Sequence, residues 1–192
     1  MTWFGETRIE TASGLIYDYA DPKPSQVCLA DVAHGLGNTC RFGGHTSKFY
    51  SVAQHCVLVS EILEAWDQDL DVVVAGLFHD AHEAYLGDLP KPLKSQIGPE
   101  YERLAEAADE VIFESLNIDL GALSHETVKE ADNRALVAEA RLLMPSEGLT
   151  RDLDELGKLP DGVAVRTSLR FQGTPKDLFL GRAGFLGVDG VG

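Results

Sequence analysis

The stretch Val72-Val73-Val74-Ala75-Gly76-Leu77-Phe78-His79-Asp80-Ala81-His82-Glu83-Ala84-Tyr85 runs from unbroken apolar residues into an imidazole beside a carboxylate. Its length and its lack of proline predict one helix from about Val72 to Tyr85, closed at Gly87, where a left-handed residue ends it. His79 and Asp80 then stand at the edge of a helical core. Burying such groups is costly unless something pairs with them, and both are good metal ligands.

Working outward, Ser51 and Gln54 form a capping box, and Val52, Cys56, Val59, Leu63 and Trp66 recur at helical spacing, which predicts a helix to about residue 66. Asp21-Pro22-Lys23-Pro24 breaks the chain before a short helical stretch around Leu29 to Leu36, followed by a glycine-rich loop from Gly35 to Gly44. Downstream, Pro90 and Pro92 keep Gly87 to Pro92 from being helical throughout, and Pro99 suits the first turn of a helix carried on by Leu104, Ala108, Val111, Ile112 and Leu116. Ser124 is a candidate cap for another, with Val128, Ala131, Ala135, Leu136 and Leu142 on its inner side. Beyond Pro145 the pattern weakens until Thr174-Pro175 opens a short helix with Leu178, Phe179 and Phe185. Weak alternation through Ile9, Thr11, Leu15, Tyr17 and Tyr19, with a turn at Ser13-Gly14, predicts a hairpin or extended arm. The expected organisation is an N-terminal arm over residues 1–24, one all-α domain over 25–186 and a mobile end over 187–192.

A chain of 192 residues with 44% hydrophobic and 24% charged residues has the composition of one soluble domain, and no apolar run is long enough to span a bilayer. Met1-Thr2-Trp3-Phe4-Gly5-Glu6 lacks the features of a secretion signal, so a cytoplasmic location and no membrane partner are expected. Cys28, Cys40 and Cys56 have no paired spacing and read as small apolar fillers. A formal charge of −15 argues against a nucleic-acid duplex as partner. A small anion is compatible with it, because Arg41, Lys48, Lys91, Lys94, Arg103, Lys129 and Arg134 lie near the candidate ligands in sequence.

Two more residues join the central pair. Asp132 lies four after Val128 and three before Ala135, and His55 three after Val52 and four before Val59, each where an apolar side chain is expected. His55 alone reads as a satisfied core histidine, and Asp132 alone as the partner of Lys129 or Arg134. Together, two histidines and two carboxylates suit a first-row divalent cation with positions left open for substrate. Glu83, four residues after His79, falls on the same helical face one turn on, where it would reach an attacking water; read alone it is a solvent-facing or capping side chain.

In this order, His55, then His79-Asp80, then Asp132, with His79 to Lys94 (HDAHEAYLGDLPKPLK) and Arg41-Phe42-Gly43-Gly44-His45 ahead of Phe49 to His55, the chain resembles the HD-domain phosphohydrolases. It resembles the branch that holds bacterial deoxynucleotide 5′-nucleotidases and phage dATP or dNTP triphosphohydrolases, over about residues 25 to 145. The resemblance implies a metal held by His55, His79, Asp80 and Asp132, with Glu83 acting on the attacking water and Asp88 supporting the site. It implies phosphate contacts from Arg41, Lys94 and Lys129, each of which reads otherwise as a surface charge, Lys94 beside its proline-rich loop most of all and Lys129 least, and a base pocket at Phe42 and Gly44, with Phe42 otherwise a core residue. It further implies a divalent ion, Zn, Co or Mn, with Mg as a second, substrate-bound ion, and a homo-oligomer. The four cations Arg41, Lys91, Lys94 and Lys129 favour a deoxynucleoside triphosphate as substrate over a monophosphate. A metalloprotease is excluded, because its two histidines would sit four apart on one helix around the glutamate. A dinuclear oxygenase would need further histidines between Asp80 and Asp132, where His82 and His125 do not match its spacing. A helical scaffold without turnover has no use for buried acids and histidines that lower stability when unpaired.

Overall fold

The computed structural model of the chain describes residues 6–145, 157–168 and 173–189. Strand β1 (Arg8–Glu10) pairs antiparallel with β2 (Ile16–Asp18), Ile9 opposite Tyr17, so the arm is a hairpin. Its turn is tied to the helical body by Asp31, whose carboxylate accepts from Thr11 Oγ1 at 2.6 Å, Ser13 N at 2.8 Å and Ser13 Oγ at 2.6 Å. Burial opposes the charge, but the bonds from Ser13 and Thr11 outweigh it and hold the Asp31 carboxyl below its ordinary value. Tyr17 is buried and stacks on Tyr85 with ring centroids 4.1 Å apart.

The rest is helical: α1 (Leu29–Asn38), α2 (Val52–Ala65), α3 (Leu70–Phe78), α4 (Glu83–Leu86), α5 (Lys91–Ile97), α6 (Pro99–Leu116), α7 (Glu126–Leu143) and α8 (Pro175–Phe185), with 3₁₀ turns at Pro24–Gln26, Arg41–Gly44 and Leu120–Ser124. This is the expected all-α fold with a short N-terminal arm. Helix α2 is the hub, packed by α1, α3, α7 and α8, and its residues from Val52 to Ser60 are buried on every side. Its start is fixed by the predicted capping box, in which Gln54 N donates to Ser51 Oγ at 3.2 Å and Ser51 N to Gln54 Oε1 at 3.0 Å. Thr174 and Asp177 form a second capping box at the start of α8. Phe78 closes the core between Phe113 and Phe179, with edge-to-face rings.

Four expectations need correction. The helix from 72 to 85 is not continuous: α3 ends at Phe78, and tight turns through residues 79–82 lead into the separate α4. A side chain on another helix stabilises this break, because Asp109 of α6 accepts from the backbone N of His82 at 3.2 Å. Ser124 does not cap α7: it ends a 3₁₀ turn, where its Oγ donates to Gly121 O, and His125 holds the cap position. Leu136 and Leu142, expected inside, are 39% and 56% exposed, since α7 turns those positions to a cavity mouth and to the surface. The end is not free from residue 187: Val188 N donates to Ala183 O at 2.9 Å and its side chain joins the core, while residues 190–192 lie outside the described residues.

Among the described residues no helix is long and apolar enough to cross a membrane. The three cysteines are free thiols, Cys56 buried and Cys28 and Cys40 half-buried.

Candidate metal centre

Close packing of α2 on α3 brings His55 and His79 together. A Cβ on Gly76 would meet the tip of the Leu63 side chain, so the glycine leaves room for that leucine between the helices. The two Nε2 atoms lie 3.2 Å apart. Asp80 Oδ2 is 3.6 Å from His55 Nε2 and 3.3 Å from His79 Nε2. From α7, Asp132 Oδ1 comes within 3.1 Å of His55 Nε2 and 3.8 Å of His79 Nε2. An ion with bonds of about 2.1 Å sets its neighbouring ligand atoms roughly 3.0 to 3.4 Å apart; the separations of 3.1, 3.2 and 3.3 Å fall in that range, while those of 3.6 and 3.8 Å are wider. His55, His79 and Asp80 place ligand atoms within 4.8 Å of one another and could hold a metal ion, with Asp132 beside them.

Both rings are oriented from behind. His79 Nδ1 lies 2.8 Å from the Gly76 carbonyl, and His55 Nδ1 lies 2.8 Å from Glu139 Oε1. These partners only accept, so each Nδ1 carries a proton, and each ring offers its Nε2 lone pair to an ion once any proton on Nε2 has left. The surroundings favour positive charge: burial and Arg41 work against a charged His55, yet Glu139 and Asp132 push its pKa up to about 10. Asp80 is held well below the usual carboxylate range by His79, His55 and Arg41 in spite of its burial. A donor set that stabilises a cation on its nitrogens suits a divalent ion equally well.

Glu83 is 1% exposed and lines the cavity next to this cluster. It starts α4 rather than sitting one turn along α3, and α4 is placed by Gly35 of α1, where a Cβ would strike the Ala84 backbone. Burial, then the charges of Asp80 and Asp88, push the Glu83 carboxyl up to about 7, with Lys94 and His82 acting the other way. Lys94 Nζ donates to Glu83 Oε1 at 2.9 Å, so the lysine expected on a phosphate is already engaged by the glutamate. Asp80, His82 and Glu83 form a second group of ligand type, but His82 Nδ1 is 3.1 Å from Asp109 Oδ2 and Lys94 occupies Glu83. Those contacts make it a poor place for a second cation.

Arg41 is buried beneath the cavity, with Nη1 3.6 Å from Asp88 Oδ2 and 3.9 Å from Asp80 Oδ2 and with Nη2 3.3 Å from Glu139 Oε2. It reaches this position because Cys40 and Ser51 form an antiparallel bridge, in which Arg41 N donates to Tyr50 O at 2.9 Å. Asp88 also accepts from Phe42 N at 3.2 Å, which holds Phe42 at a φ of 55°, a left-handed value that side chains rarely adopt. The cavity, about 510 Å³, is lined by Arg41, Asp80, Glu83, Asp88, Lys94, Lys129 and Asp132 on its polar side and by Phe42, Leu89, Pro90 and Leu136 on its apolar side. Lys91 and Lys129 lie on its rim, exposed and without an ion pair among the described residues.

No family model matches the chain. It is 39% identical to the uncharacterized protein YfdR of Escherichia coli over 140 residues, which span 73% of this chain and 74% of YfdR. The chain belongs to the YfdR family. An uncharacterized protein of Rhodobacter capsulatus is 33% identical over 166 residues, spanning 80% of this chain and 81% of that protein.

Of the residues singled out in the sequence, His55, His79 and Asp80 bring ligand atoms together with Asp132 beside the two histidines, and Glu83, Asp88, Arg41, Phe42, Lys94 and Lys129 stand around the same cavity. Gly44 does not line it. It is exposed, with a φ of 79° that explains the glycine without any base. Glu139 is a further site residue that the apolar pattern could have revealed, since it lies seven residues after Asp132 on the same face of α7 and interrupts the buried stripe in the same way. His82, which has no role in the sequence pattern, pairs with Asp109.

Proposed function

We propose that the chain is a metal-dependent HD-type phosphohydrolase of deoxynucleotides, with the triphosphates as the favoured substrates. The observation that carries this reading is the convergence of two histidine nitrogens and two carboxylates beside a buried glutamate with one unpartnered oxygen. The four cavity acids, Asp80, Glu83, Asp88 and Asp132, are balanced by four bases, Arg41, Lys91, Lys94 and Lys129. Adding a divalent ion therefore makes the cavity cationic, which suits an anionic substrate.

His55, His79, Asp80 and Asp132 would hold the ion, and their mixed nitrogen and oxygen set suits Zn, Co or Mn. When bound, such an ion supplies Lewis acidity toward a phosphoryl oxygen and makes water more acidic. Glu83, whose burial raises its pKa, takes the proton of the attacking water through its free Oε2 as the water adds to the α-phosphorus. The bond from that phosphorus to O5′ breaks, and O5′ takes the proton that Glu83 accepted and leaves as the hydroxyl of the deoxynucleoside, which restores the carboxylate. Arg41, held in place by Asp88 and Glu139, orients the phosphoryl oxygens, and Phe42 with Leu136 and Pro90 offers an apolar wall to the base.

Lys91 and Lys129, free at the rim, support the triphosphate, because they are available for β and γ oxygens. The monophosphate is the second reading, favoured by the ion pairs that already engage Arg41 and Lys94. Incubating Zn-, Co- or Mn-loaded protein with a panel of deoxy- and ribonucleotides, with and without chelator, separates the two. Triphosphate among the products supports the first reading and orthophosphate from a monophosphate the second. No product from any nucleotide would remove both.

A further inference from the structure

We infer that Glu139 is a positioning residue that holds the metal ligand His55 and the anion-binding Arg41 with one carboxylate, so that both halves of the site depend on it. The inference rests on the metal reading given above. Glu139 is completely buried, 0% exposed, on the inner face of α7 two turns beyond Asp132. A carboxylate in such a place is strongly unfavourable unless it is paired and hydrogen-bonded. Each of its oxygens has a different partner. Oε1 lies 2.8 Å from His55 Nδ1, and Oε2 accepts from Arg41 Nη2 at 3.3 Å.

The two histidines are thus set up differently. His79 rests on a neutral backbone carbonyl, whereas His55 rests on a charge, which makes its ring the more basic donor. The same charge keeps Arg41 between Asp88, Asp80 and Glu139 instead of letting the guanidinium swing onto the ligand Asp80 alone. Removing the carboxylate charge should weaken cation binding through His55 and anion binding through Arg41 together, although Glu139 does not line the cavity.

The test uses the full chain, chelated and then titrated with Zn(II) or Co(II), comparing wild type with Glu139→Gln. The glutamine variant should bind the ion about 10- to 100-fold more weakly. At saturating Zn(II), its affinity for inorganic phosphate should fall on the order of tenfold. In Zn-loaded wild type, ¹⁵N NMR should show the His55 ring protonated at Nδ1, with that proton far downfield, and the signal should move upfield in the variant. This ring signature also serves if Glu139→Gln does not fold, because a His55 protonated at Nε2 in wild type would overturn the inference by itself. Equal ion affinity and an unmoved Nδ1 proton in a folded variant would also overturn it while leaving the metal reading intact. A wild type that binds neither ion would overturn the metal reading and the inference with it.

Discussion

Lys94 Nζ donates to Glu83 Oε1 at 2.9 Å, and the other oxygen of the same carboxylate, Oε2, is buried without a hydrogen-bond partner. One half of the glutamate is anchored and the other is free, an arrangement suited to a group that must accept a proton at a fixed place. Lys94 also restrains the pKa, opposing burial and the charges of Asp80 and Asp88.

Replacing Lys94 with Met removes the group that holds the Glu83 pKa down, so the pKa rises further. Catalysis that needs ionised Glu83 rises with pH through its pKa, which is about 7 in the ion-free protein and lower once an ion neutralises Asp80. In Lys94→Met that limb of kcat/KM against pH is expected at higher pH. A limb that stays in place would show that the lysine does not act on the base.

Glu83→Gln keeps the shape of the side chain and removes its basicity. Turnover is expected to fall about 10²- to 10⁴-fold with ion affinity nearly unchanged, measured by product release and by Zn(II) titration. Loss of the ion instead would assign Glu83 to the ligand set.

Gly35→Ala places a methyl group against the Ala84 backbone, which cannot yield as a side-chain tip would. Overpacking of about 1–3 kcal/mol exceeds the gain of up to about 1 kcal/mol from alanine in a helix. A lower urea midpoint is expected, and reduced turnover with it, because α1 positions α4 and therefore Glu83. Unchanged stability and rate would show that the two helices can separate at little cost.

Asp31→Asn tests the anchoring of the hairpin. The folded-state pKa of Asp31 lies below its unfolded value, so its contribution is complete above the ordinary carboxylate range and is lost as pH falls through the folded value. The variant is expected to be about 1–3 kcal/mol less stable than wild type at pH 7, with the gap narrowing toward pH 3 in urea denaturation. A gap that is constant with pH would assign the loss to packing rather than charge.

The helices with local signals were legible in the sequence. Ser51 with Gln54, Pro99 at the first turn of α6 and Thr174-Pro175 mark starts that depend on a few neighbouring residues. The interruption after Phe78 was not legible, because Ala81 and Ala84 favour a continuous helix and the stabilising contact comes from Asp109, distant in sequence. The four ligand-type residues could be found because each breaks an apolar pattern. The pairing of Lys94 with Glu83 could not, since it depends on where α5 folds back over α4. Glu139 breaks the same pattern as Asp132 but is separated from it by two turns of helix, and only the packing of α2 on α7 shows that it faces His55.

The most direct measurement is an anomalous-scattering map from crystals of the chelated protein soaked with Co(II). One strong peak is expected about 2.0–2.2 Å from His55 Nε2 and His79 Nε2 and within bonding distance of Asp80 and Asp132. A peak at Asp80, His82 and Glu83 instead, or no peak near His55 at saturating cobalt, would contradict this ligand set.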